Sequence, residues 1–236
     1  METEISAKTV LEIIYQDEVM VVINKPTGLL VHRSPIAADA SEFAIQVLRD
    51  QIGQKVFPVH RLDRKTSGLL VFALNEEVNK HLQMAFMNRK IDKKYVALVR
   101  GFITEKGTID YALTNEAGKV QDALTHFKLL QQFEIEIPNG KFTTARFSLV
   151  EVEPETGRMH QIRKHFAHIF HPIIGDRPHG CNKQNKLFLE KWGMNSMLLH
   201  ASELTFKHPV SDQEMTFEAR LPADFKMTIE RLSKKD

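Results

Sequence analysis

Between two apolar runs, Val56 to Val59 and Leu69 to Leu74, the chain carries His60-Arg61-Leu62-Asp63-Arg64-Lys65-Thr66-Ser67-Gly68, a stretch too polar to be core. A carboxylate flanked by Arg61 and Arg64 stays ionised, because nearby positive charge favours the charged form. Held against apolar strands, it has the chemistry of a nucleophile or a base. The structural alternative is an Asp-Arg pair at a tight turn with Thr66-Ser67-Gly68 as its exit, which on spacing alone is the commoner outcome. Partners decide between the two. Tyr95 is a candidate general base or stacking platform, and Arg163 a candidate partner for the carboxylate. Each alone reads as a half-buried strand tyrosine and a helix-surface arginine.

The histidines raise a metal reading, since His165, His168 and His171 fall at three-residue spacing with His160 one turn earlier. Zinc requires three or four converging ligands. No His-Glu-x-x-His motif is present, the neighbours are cations, and Pro172 disrupts the last position. Phosphate contact or capping is the better use of these side chains, and no metal is expected. Glycine-rich phosphate loops of the dinucleotide or P-loop kind are absent, so no nucleotide cofactor is expected either.

The elements that must position these residues follow from the apolar pattern. Val10 to Tyr15, Val19 to Asn24 and Leu29 to His32 read as three strands of a meander, with Lys25-Pro26-Thr27-Gly28 as the second turn. Asp39 with Glu42 resembles a capping box ahead of a helix that carries Phe43, Ala44, Val47, Leu48 and Ile52 and stops at Gly53. Leu69 to Leu74 is a fully apolar strand. It feeds a helix capped by Asn75, with Glu76 and Glu77 in its first turn. Tyr95 lies near the start of a strand that runs to Gly101. A strand over Phe147 to Val152 precedes a helix marked by Met159, Ile162, Phe166 and Ile169, which His171-Pro172 ends. The tail offers Leu198 to His200, Leu204 to Phe206 and a hairpin from Thr205 to Ala219. Without a regular βαβ alternation, the fold class is α+β, with a mixed, largely antiparallel sheet flanked by helices.

Charge is segregated although the net is only +2. From Gly157 to Lys186 six Lys/Arg face one carboxylate, Asp176, with five histidines among them. Arg89, Lys90, Lys93, Lys94 and Arg100 form a second cluster, and Arg61, Arg64 and Lys65 a third. Three clusters suggest an extended polyanion; a solvated basic face is the plainer reading. The 236 residues, 26% of them charged and 42% apolar, describe a folded globular chain. The longest apolar run falls far short of the roughly 18 residues that cross a bilayer. A lone cysteine, Cys181, fits a reducing compartment, so a cytoplasmic location is expected.

The His60 to Gly68 stretch resembles the catalytic motif of the RluA-type pseudouridine synthases at every defining position. The resemblance extends through Asn24 to Gly28, Lys93 to Gly101, Thr156 to Arg163, His171 to Asp176 and Leu198 to Ala201. It departs at His179, where most members have tyrosine, and in a short Asn115 to Asp122 segment. The resemblance implies the pseudouridine synthase catalytic fold with a central active-site cleft, and isomerisation of uridine to pseudouridine in RNA. Within the family the chain is most similar to the branch acting on uridine-65 of tRNA, through Val31 to Ser34, Gln51 to Gln54 and the Asp176-x-x-His179-Gly180 variant.

By this resemblance Asp63 is the nucleophile, attacking C1′ or moving a proton through a glycal-like intermediate. Arg163 pairs with it and orients it. Tyr95 stacks on the base and serves as, or assists, the general base, against an ordinary phenol pKa near 10. The nucleotide is flipped out, and Arg61 braces the vacated stack. Arg61, Arg64, Lys93, Lys94, Arg158, His160 and Lys164 form the expected RNA-binding set. Residues 1–236 are expected to be a single catalytic domain acting as a monomer. Only about ten residues precede the first strand, too few for an S4-type RNA-binding domain. Ribosomal RNA as substrate, a non-catalytic RNA-binding module and a metal-dependent hydrolase are the alternatives. The second would lack Asp63, Tyr95 or Arg163, all of which are present.

Overall fold

Val21 to Ile23 and Leu69 to Phe72 are apolar at every position, as strands covered on both faces must be. They pair antiparallel in one half of a ten-stranded sheet. The structure is a computed structural model describing residues 9–33, 42–138 and 143–234. In chain order its elements are β1 (Glu12–Gln16), β2 (Met20–Lys25), α1 (Ala44–Ile52), β3 (Phe57–Pro58), β4 (Ser67–Ala73), α2 (Glu76–Met87), β5 (Asp92–Arg100), β6 (Lys106–Asp110), β7 (Leu113–Thr114), β8 (Val120–Gln121), β9 (Leu124–Ile135), β10 (Ala145–Pro154), α3 (Gln161–His168), α4 (Asn182–Trp192), β11 (Leu199–Lys207), β12 (Glu214–Glu218) and α5 (Ala223–Ser233). The sheet runs β1-β2-β4-β11-β5-β10-β9-β6, with β12 beside β11 and β3 beside β4; β7 and β8 form a separate pair.

Every ladder among these strands is antiparallel except β4 with β11, where His200 faces Ser67 and Ala201 faces Gly68. The expected α+β class with a largely antiparallel sheet is therefore the observed one. The parallel seam lies mid-sheet. A Cβ on Gly68, whose φ is +109°, would sit 2.1 Å from the Ala201 carbonyl oxygen, so this close approach requires glycine. Two apolar clusters cover the β2–β4 half, one built on Val21, Leu70 and Phe72 and the other on Met20, Leu69 and Val71. Two more cover the β5–β10 half, around Val99, Val150 and Phe166 and around Leu98, Phe147 and Phe188. Tyr95 packs against one cluster of each half.

Several boundaries differ from expectation. Leu29 to His32 is not a strand; Leu30 makes one isolated bridge to Phe43. Helix α1 begins at Ala44 with Phe43 at its N-cap and no side-chain cap, which places the capping-box position too early. Asp39 and Ser34 lie outside the described residues, and Glu42 instead accepts a 2.6 Å hydrogen bond from Thr9 Oγ1. The exit turn spans Asp63 to Thr66, closed by Thr66 N–H on the Asp63 carbonyl at 3.1 Å, while Ser67 and Gly68 already belong to β4. Helix α3 starts at Gln161, two residues after Met159, and ends at His168, ahead of His171-Pro172. The runs expected at Leu198 to His200 and Leu204 to Phe206 fall on one strand, β11, which starts at Leu199. The Asn75 cap is as expected: its side chain accepts from Val78 N–H at 2.9 Å. Among the described residues no helix is long and apolar enough to cross a membrane.

Candidate active site

Asp63 occupies the first position of a β-turn, where aspartate is favoured because its side chain can bond the turn backbone. Here it goes elsewhere. Arg163 Nη1 donates to Asp63 Oδ2 at 2.8 Å, joining the loop before β4 to helix α3 in the other half of the sheet. The structural alternative for Arg163, a solvated helix-surface arginine, fails because its side chain is only 8% exposed.

Asp176, 1% exposed, takes the other edge of the guanidinium. Arg163 Nε donates to its Oδ2 and Nη2 to its Oδ1, both at 2.8 Å. Burial pulls Arg163 down, but the hydrogen bonds it donates to Asp176 and Asp63 outweigh it and hold the guanidinium above its ordinary pKa. The expected site set does not include Asp176, although in the chain it is the lone carboxylate of a long basic stretch and the end of the His171 to Asp176 block.

The first residue of α3 and the segment before it fix how Arg163 is aimed. Gln161 Oε1 accepts from Thr156 Oγ1 and from Arg158 N–H, while its Nε2 donates to the Leu124 carbonyl and to Thr125 Oγ1. His160 sits in the left-handed region at φ 56°, uncommon for a residue with a Cβ. Its Nδ1 lies 2.9 Å from His179 Nε2 and its Nε2 3.8 Å from Asp63 Oδ2. Burial lowers the pKa of both histidines, with Asp63 opposing it at His160 and Asp176 at His179, so the pair is neutral near pH 7.

Tyr95 stands near the start of β5 and lines the same site. Burial, then the negative charge of Asp63, raises its phenol above the ordinary 10. His60 stacks on Phe86 with ring centroids 4.4 Å apart and accepts from Val71 N–H at 3.1 Å. Burial and the charge of Lys93 push it down to about 3, so it is a neutral structural imidazole. Lys25, fully buried, was also missed as a site residue. Its ammonium donates to the carbonyls of Pro26, Leu29 and Arg64 at 2.8, 2.9 and 3.4 Å, tying the Pro26 to Leu29 segment to the Asp63 turn.

These groups line a cavity of about 440 Å³, within the size range of small-ligand sites. Asp63, Tyr95 and Arg163 all face it, as do Arg61, Lys93, Arg158 and His160. Arg64, Lys94 and Lys164 do not line it. Arg64 Nε donates to the Gly28 carbonyl, Lys94 pairs with Glu203 at 2.9 Å, and Lys164 lies beside His179. Among the described residues five cationic side chains (Arg61, Arg89, Lys93, Arg158, Arg163) stand against Asp63 and Glu155 around the cavity, so members of all three basic clusters converge there. The histidine series does not converge. His165 bonds Thr125 Oγ1 and the Tyr111 carbonyl, His168 stacks on Tyr111, and His171 bonds the Arg100 carbonyl. Among the described residues no group of three or more His, Cys, Asp or Glu is arranged to hold a metal ion.

Comparison with known proteins gives the same picture. Residues 19–168 match the family described as RNA pseudouridylate synthase. A curated tRNA pseudouridine synthase C of Vibrio vulnificus is 48% identical over 232 residues, covering 94% of this chain and 95% of that protein. The Yersinia pestis protein of the same name is 47% identical over 221 residues, covering 89% and 86%. The solved structure of human RNA pseudouridylate synthase domain containing 4 superposes with a TM-score of 0.71 at 25% identity, covering 95% of each chain. That of the human domain containing 1 protein gives 0.70 at 22%, covering 96% of each. With its motif residues assembled on that fold, this chain belongs to the RNA pseudouridylate synthase family, as its sequence resemblance to the RluA-type enzymes implies.

Proposed function

We propose that the chain isomerises a uridine of tRNA to pseudouridine, without cofactor or metal, and that Asp63, Tyr95 and Arg163 carry the reaction. The observation that carries this reading is the Asp63–Arg163 contact in a cavity lined by cationic side chains, with Tyr95 in the same lining. The N1–C1′ bond breaks, the uracil turns within the cavity, C5 bonds to C1′, the C5 hydrogen leaves as a proton and N1 takes one up, so that the product is an isomer of the substrate. Asp63 acts on the ribose and loses its negative charge as it does so. Tyr95, protonated at the outset, stacks on the base. Loss of the Asp63 charge removes one of the two influences that keep its phenol from ionising, so proton transfer at Tyr95 becomes easier once the base has been detached.

A base inside a stem is out of reach, so the nucleotide flips at a cost of a few kcal/mol, offset by phosphate contacts. Arg61, Lys93, Arg158 and His160 serve the flipped nucleotide and Arg61 braces the gap. Arg64 and Lys164 serve flanking phosphates. Lys94 has the smallest part, since its charge is matched by Glu203, Glu151 and Glu153. The position, uridine-65, rests on the sequence resemblance; the close relatives named for tRNA favour tRNA over ribosomal RNA. One catalytic domain, a monomeric state and a cytoplasmic location belong to the same proposal.

The test is to incubate unmodified tRNA with the protein and map carbodiimide-stable adducts by primer extension. A new stop assigned to uridine-65 is the expected result. No new stop in any tRNA overturns the reading, and a stop only in ribosomal RNA replaces the substrate.

A further inference from the structure

Arg163 has two edges, and the structure commits them to different carboxylates. A guanidinium beside a single carboxylate favours the two-bond fork, engaging both oxygens. Here the Nε/Nη2 edge is taken by Asp176 in that fork, at 2.8 Å for each bond. Only Nη1 is left for Asp63, and it reaches Oδ2 alone. His160 approaches the same oxygen, at 3.8 Å. Among the described residues nothing bonds Asp63 Oδ1, and the side chain retains 20% exposure toward the cavity.

Asp176 is itself clamped. Asn185, on α4, donates from Nδ2 to the Asp176 carbonyl at 2.7 Å and accepts at Oδ1 from Gly175 N–H at 2.8 Å. His179 N–H donates to Asp176 Oδ1 at 3.3 Å. A Cβ on Gly180 would overlap the Asp176 carbonyl oxygen at 1.8 Å, so the loop closes on Asp176 only with glycine there. A buried carboxylate with its backbone fixed on both sides cannot follow a moving arginine.

We infer that Asp176 is a positioning residue: by occupying the Nε/Nη2 edge of Arg163 it confines that arginine to one bond on Asp63 Oδ2 and leaves Oδ1 as the oxygen that reacts with the ribose. Asp176 touches no reacting atom; it acts through Arg163. The inference rests on the proposed isomerisation.

In Asp176→Asn the amide cannot hold the fork, and Arg163 turns both nitrogens onto Asp63. The expected result, read by tritium release from 5-tritiated uridine in tRNA, is a fall in kcat on the order of 10²-fold with KM for tRNA unchanged. Arg163→Lys supplies the discriminating background, because an ammonium cannot form the fork. There Asp176→Asn should cost little more, a non-additive cycle. Equal losses in both backgrounds, or wild-type kcat in Asp176→Asn, overturn the inference. Should Asp176→Asn fail to fold by circular dichroism, Asp176→Glu is read instead. It keeps the charge but displaces the fork, so a kcat loss at constant KM supports the inference and wild-type kcat defeats it. Absence of release by the wild-type protein defeats the functional reading, which separates that failure from this one.

Discussion

Asp63 and Arg163 stand 100 positions apart and meet through one 2.8 Å hydrogen bond that bridges the two halves of the sheet. The turn that presents Asp63 belongs to the β2–β4 half, and the helix that presents Arg163 to the β5–β10 half. The cavity lies where they meet, beside the parallel seam of β4 and β11.

Replacing Asp63 by asparagine keeps the shape and the bond from Arg163 while removing the charge. Turnover should fall below detection, and tRNA affinity in a gel-shift titration should stay within a few-fold, because phosphate contacts dominate binding. Turnover near the wild-type rate would remove Asp63 from its role.

The Tyr95 phenol is held above its ordinary pKa by burial and, second, by Asp63. In an ultraviolet titration the signal lost in Tyr95→Phe should therefore appear above pH 10, and in Asp63→Asn it should move down. A titration in the neutral range, or one indifferent to Asp63, would contradict this arrangement. Tyr95→Phe should lower kcat with KM for tRNA unchanged.

Lys25 gives a stability prediction with a definite sign. Burial lowers it from 10.5 to about 7, with Asp63 opposing. Between those values the unfolded chain holds a proton that the native chain has released, so this group makes stability rise with pH. Its burial cost is full below pH 7 and fades as the pH climbs toward 10.5. In urea unfolding across that window, the wild type should gain on Lys25→Met by up to about 1.4 kcal/mol per pH unit. A constant difference would show that Lys25 does not titrate there.

Position relative to the cavity should govern salt dependence. Arg158 lines the cavity, whereas Lys94 pairs with Glu203 on β11. Arg158→Glu should weaken tRNA binding and reduce the slope of log affinity against log salt by about one or more. Lys94→Ala should leave the slope nearly unchanged; the reverse ranking would move the RNA to the other side of β5.

Much of this was legible in the chain. Apolar strands announce themselves by burial on both faces, as at Leu69 to Phe72, and Asn75 caps its helix by local chemistry alone. Asp63, Tyr95 and Arg163 are legible because the resemblance attaches a role to each. Asp176 and Lys25 stand in matched blocks too, His171 to Asp176 and Asn24 to Gly28, but carry no assigned role, since their importance lies in what they touch across the fold: Arg163 in one case, three backbone carbonyls in the other. The long strand β9 and the helices α4 and α5 also went unassigned. Strand β9 alternates buried and exposed positions imperfectly, and a register shift in its β10 ladder breaks the period of two. Helix α1 takes Phe43 as its N-cap with no side-chain cap, a start that no local capping chemistry announces in the chain.

Isomerisation must free the hydrogen on C5, so tritium release from 5-tritiated uridine in tRNA, measured with wild type and Asp63→Asn side by side, tests the account most directly. Release by the wild-type protein that is lost in the variant is the predicted result. No release by the wild type, or equal release by both, would contradict it.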